Sequence, residues 1–265
     1  MSKFNTPHLL IYSKKQRISN VMKLKTQLVA LLFCFLYNPP VLYAKIKVGT
    51  VFFYPPFVMS TGDGFDIDLM RTICQGIKET CDIVPMDYTN LFTSLNEGKI
   101  DLAIAGISIS QNRGTQYLFS LPYMLSKGQF LTLRSSDYTS INDLTGKKVG
   151  MIKGEQDGGV INTYLMQTYG NQFQSIPYND IEDLITALND GDIAAAFIHR
   201  SSALYWKQNG GGQFQLLGDS VSLGQGIGIM ALPSQSSLIA RINQQLQAME
   251  KDGSYLNLYN TYFAN

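Results

Sequence analysis

Histidine is almost missing from this sequence: 265 residues contain two, His8 and His199. Cysteine is nearly as scarce, with Cys34, Cys74 and Cys81. That supply rules out a His/Cys zinc motif, which needs about four clustered ligands. No Ser/His/Asp arrangement and no phosphate-binding glycine loop can be drawn from the chain. Gly224-Gln-Gly-Ile-Gly228 sits in a strand-like run rather than between a strand and a helix, so it is not a dinucleotide fingerprint. Glu155 or His199 facing a cleft is what remains for acid–base chemistry. Acidic residues are absent from residues 1–44, which carry six Lys or Arg. The rest of the chain therefore holds 15 basic and 20 acidic residues. An acidic body lacks the basic footprint that nucleic acid requires.

The sequence also has no apolar run of about 20 residues, the length of a membrane span. Its nearest approach is Leu28 to Tyr37, preceded by Lys23 and Lys25 and followed by Pro39-Pro40 and Val41-Leu-Tyr-Ala44. A basic start, a short apolar core, a breaker and a small residue form a secretory signal. Cleavage is expected after Ala44, with Met22 as the true start. The alternatives are an uncleaved anchor, or a lipoprotein cut at Cys34, which lies inside the apolar run rather than after it. Export leaves Cys74 and Cys81 as a lone pair where disulfides persist. They read as a staple between the end of a helix and the next strand, or else as two reduced thiols.

Beyond Ala44 the chain alternates between strand and helix. Lys45–Thr50 alternates in polarity and reads as a strand. Tyr54-Pro-Pro-Phe57 is a rigid loop, because neither proline can donate to a ladder. Asp66 is placed to cap a helix running through Cys74 to Ile77. Strands are expected at Ile83–Met86 and Ile100–Gly106, with a helix over Asn90–Gly98. A second such unit has strands at Lys147–Ile152, Phe173–Pro177 and Asp192–Ile198. Its helices are expected over Asp157–Tyr169 and Ile181–Asn189, the latter with Leu184, Ile185 and Leu188 on one face. Gly224–Ala231 reads as a glycine-rich strand, and Ser236–Lys251 as a terminal helix, with a last one opening at Gly253. Two α/β units, each built around a mostly parallel sheet, imply two lobes and a cleft. Ligands of such sheets sit beyond the carboxyl ends of strands. The loops Ala105–Arg113 and Gly154–Asp157 lie there.

Several motifs agree in order and spacing with one family. They are Tyr54-Pro-Pro-Phe57, Gly64-Phe-Asp-Ile-Asp-Leu69, Asp101-Leu-Ala-Ile-Ala-Gly-Ile-Ser-Ile-Ser110 with Arg113, Gly146-Lys-Lys-Val-Gly150 and Asp252-Gly-Ser-Tyr255. From Lys45 to Asn265 the chain resembles family 3 of the bacterial solute-binding proteins, the polar-amino-acid-binding proteins of ABC importers. The resemblance implies a type II periplasmic-binding fold. Lobe 1 would be residues 45–125 plus 223–265 and lobe 2 residues 126–222, with hinges near Leu125–Lys127 and Leu223–Gly226. It implies a monomer with no cofactor and no catalysis, delivering its ligand to a permease in the cytoplasmic membrane; the alternatives are a dehydratase-like periplasmic enzyme of the same fold and a stand-alone sensor or effector binding module. The Cys74/Cys81 pair matches a disulfide of the arginine and histidine branches, whereas Pro85-Met-Asp-Tyr88 is closer to the glutamine branch.

The resemblance also assigns roles. Arg113 would fork onto the ligand carboxylate, Ser108 would donate its hydroxyl, and Gly106 would let the backbone approach closely. Tyr54 and Tyr88, and less strongly Phe53, would sandwich a guanidinium or amide. Val51 stands where lysine and histidine carriers often have an acid, which favours an arginine- or glutamine-like ligand. Two positions depart from the family. The usual ammonium-binding Asp is His199, followed by Arg200, and the usual Thr of the other second-lobe loop is Glu155, followed by Gln156. Either Glu155 has taken over the ammonium, with His199 or Arg200 pairing to it, or the ligand is not a standard α-amino acid.

Overall fold

The computed structural model describes residues 45–156, 158–170 and 172–264, the side chains of Glu155 and Gln156 excepted. The expected signal segment, Cys34, Asp157 and those two side chains lie outside the described residues.

Two five-stranded sheets organise the chain. The first starts with β1 (Ile46–Thr50), whose neighbours are β2 (Cys81–Pro85) and β3 (Leu102–Ala103), both parallel to it. Helices α1 (Phe65–Gly76) and α2 (Tyr88–Asn96) make the crossovers. The chain then forms β4 (Leu118–Phe119) and passes to the second sheet through β5 (Lys127–Leu133). There β6 (Lys148–Ile152) pairs in parallel with β7 (Gln174–Tyr178) and β8 (Ala195–His199), by way of α3 (Val160–Tyr169) and α4 (Ile181–Asn189). After α5 (Arg200–Asn209) and β9 (Phe214–Ser222) the chain returns to the first sheet as β10 (Met230–Ala231). Helices α6 (Ser236–Asp252) and α7 (Ser254–Phe263) close it.

Each sheet is mostly parallel, as expected, with one strand of the five reversed. β10 runs antiparallel to β3 and β4, and β5 runs antiparallel to β8 and β9. The reason is topological: these strands belong to the segments that cross between sheets and have no helical crossover to reverse them. The glycine-rich run is not a strand over Gly224–Ala231. Gly224 and Gly226 have φ of 54° and 108°, which end regular pairing, and only Met230–Ala231 remains in the ladder. β8 extends one residue further than expected, so His199 sits on the strand's last position.

α4 illustrates how sequence makes an element. Asp180 caps it by accepting the Asp183 amide at 2.8 Å, worth about 1 kcal/mol. Ile181, Leu184, Ile185 and Leu188 bury its inner face, at roughly 1.5–3 kcal/mol each. Asp66 does not cap α1. The cap position is Gly64, and Asp66 lies inside the helix, fully buried.

Cys74 near the end of α1 is bonded to Cys81 at the start of β2, a separation of seven residues. Closing so short a loop removes about 2.5 kcal/mol of denatured-state entropy. Replacing both by alanine is expected to lower the melting temperature by about 5 °C or more in calorimetry. An unchanged transition would mean the bond constrains nothing that unfolding releases.

Candidate functional site

A cavity of about 220 Å³ opens between the two sheets, at the carboxyl ends of their parallel strands. From the first lobe, Tyr54, Tyr88, Ala105 and Gly106 line it, with Val51, Phe52, Phe53, Met86 and Asp87. From the second come His199, Ile152, Ile161, Asn179, Asp180, Ile181 and Glu182.

Tyr54 stacks on Phe57, with centroids 5.7 Å apart and planes 13° apart. The His199 ring meets both edge-on, at 6.2 and 6.1 Å. His199 is buried, and its Nε2 lies 3.4 Å from the Ser108 hydroxyl, at the long limit of a hydrogen bond. Ser108 Oγ also meets Ser126 Oγ at 2.9 Å. Gly106 has φ of 63°, and its Cα faces the rings of Tyr54 and Phe57, so a side chain would be crowded as well as strained.

Ser108 and Arg113 are not among the cavity-lining residues but adjoin it. Arg113 is buried at the seam between the lobes. Its Nη1 donates to the Ser108 carbonyl at 3.1 Å, and its Nη2 donates across the seam to the Gly154 carbonyl at 3.0 Å. The guanidinium carbon stands 5.2 Å above the Phe92 ring, a cation–π geometry. Further contacts cross the seam. Ser110 Oγ donates to the Gly158 carbonyl at 2.7 Å, and Ser202 Oγ to the Pro55 carbonyl at 2.7 Å. Phe53 meets Trp206 edge-on at 6.4 Å. Gly154 presses its Cα against the Tyr88 ring. The backbone of Glu155 and Gln156 forms a 3₁₀ turn with Lys153 and Gly154.

Behind the cavity wall lies Asp66. It accepts the Gly106 amide at 2.7 Å and the Tyr123 hydroxyl at 2.9 Å. Burial pushes its pKa from 3.8 up to about 7, although both hydrogen bonds pull it down. A folded-state value above the unfolded one means the protonated carboxyl favours the fold. This contribution is therefore complete below about pH 4 and is lost as pH rises to about 7.

The sequence profile of the bacterial extracellular solute-binding proteins, family 3, matches residues 46–265. The chain belongs to this family. A solved relative, an arginine 3rd transport system periplasmic binding protein from Legionella pneumophila, is 35% identical, with a TM-score of 0.77 over 83% of this chain and 99% of that one. ABC transporter arginine-binding protein 1 of Escherichia coli (strain K12) is 26% identical over 226 residues, 83% of this chain and 90% of the relative. The histidine-binding periplasmic protein of Salmonella typhimurium is 27% identical over 236 residues, 83% and 87% of the two chains. The two α/β lobes expected from the family 3 resemblance are present, and the fold is that of its periplasmic binding proteins.

Sequence reasoning missed part of the cavity. Asn179, Asp180 and Glu182 follow the end of β7, a third strand-to-helix loop of the second lobe. The rule that ligands sit beyond strand ends pointed there too. No family 3 motif marked Asp66 as anything but a helix start. Its position behind Gly106 depends on partners 40 and 57 residues away.

Proposed function

We propose that this chain, exported to the periplasm with removal of residues 1–44, captures one polar amino acid between its lobes as a monomer. It then presents the closed complex to an ABC permease and catalyses nothing. The observation that supports this most is the cavity itself. Its volume of about 220 Å³ is below the ~300–1,000 Å³ typical of drug-sized ligands, and it stands beside a buried arginine at the lobe seam.

Arg113 is the partner for the ligand carboxylate, which replaces a carbonyl contact with charge-assisted bonds. Ser108 completes the wall on that side, while Gly106 lies against the Tyr54 and Phe57 rings, on the side of the ligand side chain. Tyr54 and Tyr88 flank the ligand side chain. Asp87, Asp180 and Glu182 lie at the cavity with no Lys or Arg among its described lining residues. That balance favours a cationic side chain, and arginine over glutamine. The names of the relatives agree with that preference. Closure is hinge motion where the chain crosses between sheets.

The test is a thermal-shift panel of the twenty amino acids plus ornithine and citrulline. A ligand at ~100 times its Kd adds about 2.7 kcal/mol by mass action, which is expected to raise the melting temperature by about 5–10 °C. The same ligand should reduce the radius of gyration in small-angle scattering. A panel with no stabilising amino acid would reject the reading, and stabilisation at constant radius would reject the hinge. Intact mass of periplasmic material reads the start of the mature chain.

A further inference from the structure

Among the described residues, Asp66 is the one buried carboxylate. It does not line the cavity, yet it holds Gly106, which does. Its second hydrogen bond goes to Tyr123, on the segment that leads from β4 into β5 and the second lobe. Tyr123 is fixed in turn: its amide donates to the Ile227 carbonyl at 2.9 Å, and its carbonyl accepts the Tyr255 hydroxyl from α7. Asp66 thus ties the cavity wall to the interlobe crossing.

The groups that face this carboxylate are tyrosines. Tyr123 approaches from the crossing segment and Tyr255 from α7, and Tyr88 on α2 acts on Tyr123. Asp68, on the same helix, points outward to Arg71 and Tyr262. The charge on Asp66 is met by two dipoles rather than by a cation. A buried anion answered only by dipoles is costly, and near neutral pH Asp66 stands between its two protonation states. Positive charge brought to the other side of the Gly106 peptide would favour the ionised form. Linkage makes the effect reciprocal: the ionised form must then favour the cation.

We propose that Asp66 is a positioning residue for a cationic ligand: from behind the Gly106 amide it supplies the negative charge that the ligand draws on, so that ligand capture and proton release from Asp66 are linked. The proposal rests on the reading that the ligand is an amino acid with a cationic group.

The test is calorimetry of the exported protein with L-arginine at about pH 6, 7 and 8, in buffers of different ionisation enthalpy. Affinity should rise about five-fold from pH 6 to pH 8, with a fraction of a proton released near pH 7. Both effects should vanish in Asp66→Asn, which can still accept the Gly106 amide and bond Tyr123. A pH dependence arising from His199 would persist in that variant. Tyr123→Phe removes a bond that holds the Asp66 pKa down, so the midpoint should move to higher pH. A flat affinity, or the same profile in Asp66→Asn, overturns the proposal and leaves the ligand reading intact. If arginine fails to bind at every pH, the ligand reading falls and takes this proposal with it. Should Asp66→Asn not fold, an unmoved midpoint in Tyr123→Phe overturns it.

Discussion

Arg113→Met is expected to weaken binding of the ligand found by the thermal-shift panel at least ~100-fold, the cost of two hydrogen bonds to a charged group at about 1.5–3 kcal/mol each. The guanidinium is buried at the seam, where screening by water is weak, and it stands over Phe92. Methionine keeps much of the volume and the contact with that ring while removing every donor. Arg113→Lys should lose less, about ten-fold or more, because one ammonium cannot reproduce a planar fork. The ligand-free melting temperature separates binding from folding. Arg113 bonds the Ser108 carbonyl within its own lobe, and a second bond crosses the seam to Gly154. A protein that opens in the absence of ligand exposes both carbonyls to water, so Arg113→Met should melt within a few degrees of the wild type. Affinity within about three-fold of wild type would remove Arg113 from the site, since even a single lost charged bond costs more.

The legible parts of this molecule were those whose cause is local. The face of α4 is written in Leu184, Ile185 and Leu188, and its cap in Asp180. The loops that follow β3 and β6 were expected at the cleft, because strand ends can be read from strands. Local signals could not show pairing direction. The residues of β5 do not record that the strand follows a crossing between lobes and runs antiparallel to both β8 and β9. The glycine-rich run has an apolar strand pattern, but two left-handed glycines override it. Asp66 misled for a related reason. An Asp after Gly-Phe at a helix start resembles a cap, and its burial depends on Gly106 and Tyr123, far away in sequence. The acidic rim is dispersed too, with Asp87 from one lobe and Asp180 and Glu182 from the other. The acidic groups at the cavity are therefore gathered by the assembled lobes rather than by one stretch of sequence.

Gly154→Ala should abolish closure while leaving both lobes folded. A Cβ built on Gly154 would lie 2.0 Å from Tyr88 Cδ1 and 2.3 Å from its Cε1, far inside van der Waals contact. Tyr88 belongs to α2 of the first lobe, and Gly154 follows β6 of the second, so the clash exists only when the lobes meet. Tyr88 is buried and packs against Phe92 at 5.8 Å, which limits its retreat. Within its own lobe the new methyl should be harmless, since Gly154 does not adopt a left-handed conformation. The ligand-free melting temperature should therefore stay within about 2 °C of wild type, the scale of a neutral surface change. Affinity should fall by about ten-fold or more, because the same displacement separates Arg113 from Gly154 and Tyr54 from His199. Closure must then be built without its seam, at a cost comparable to overpacking a core, about 1–3 kcal/mol or more. Small-angle scattering decides between mechanisms. If saturating ligand leaves the radius of gyration of Gly154→Ala at its open value, approach of Gly154 to Tyr88 is the limiting contact of closure. If the variant closes and binds like wild type, the Tyr88 ring yields, and the tight fit at Gly154 is not what sets the closed state.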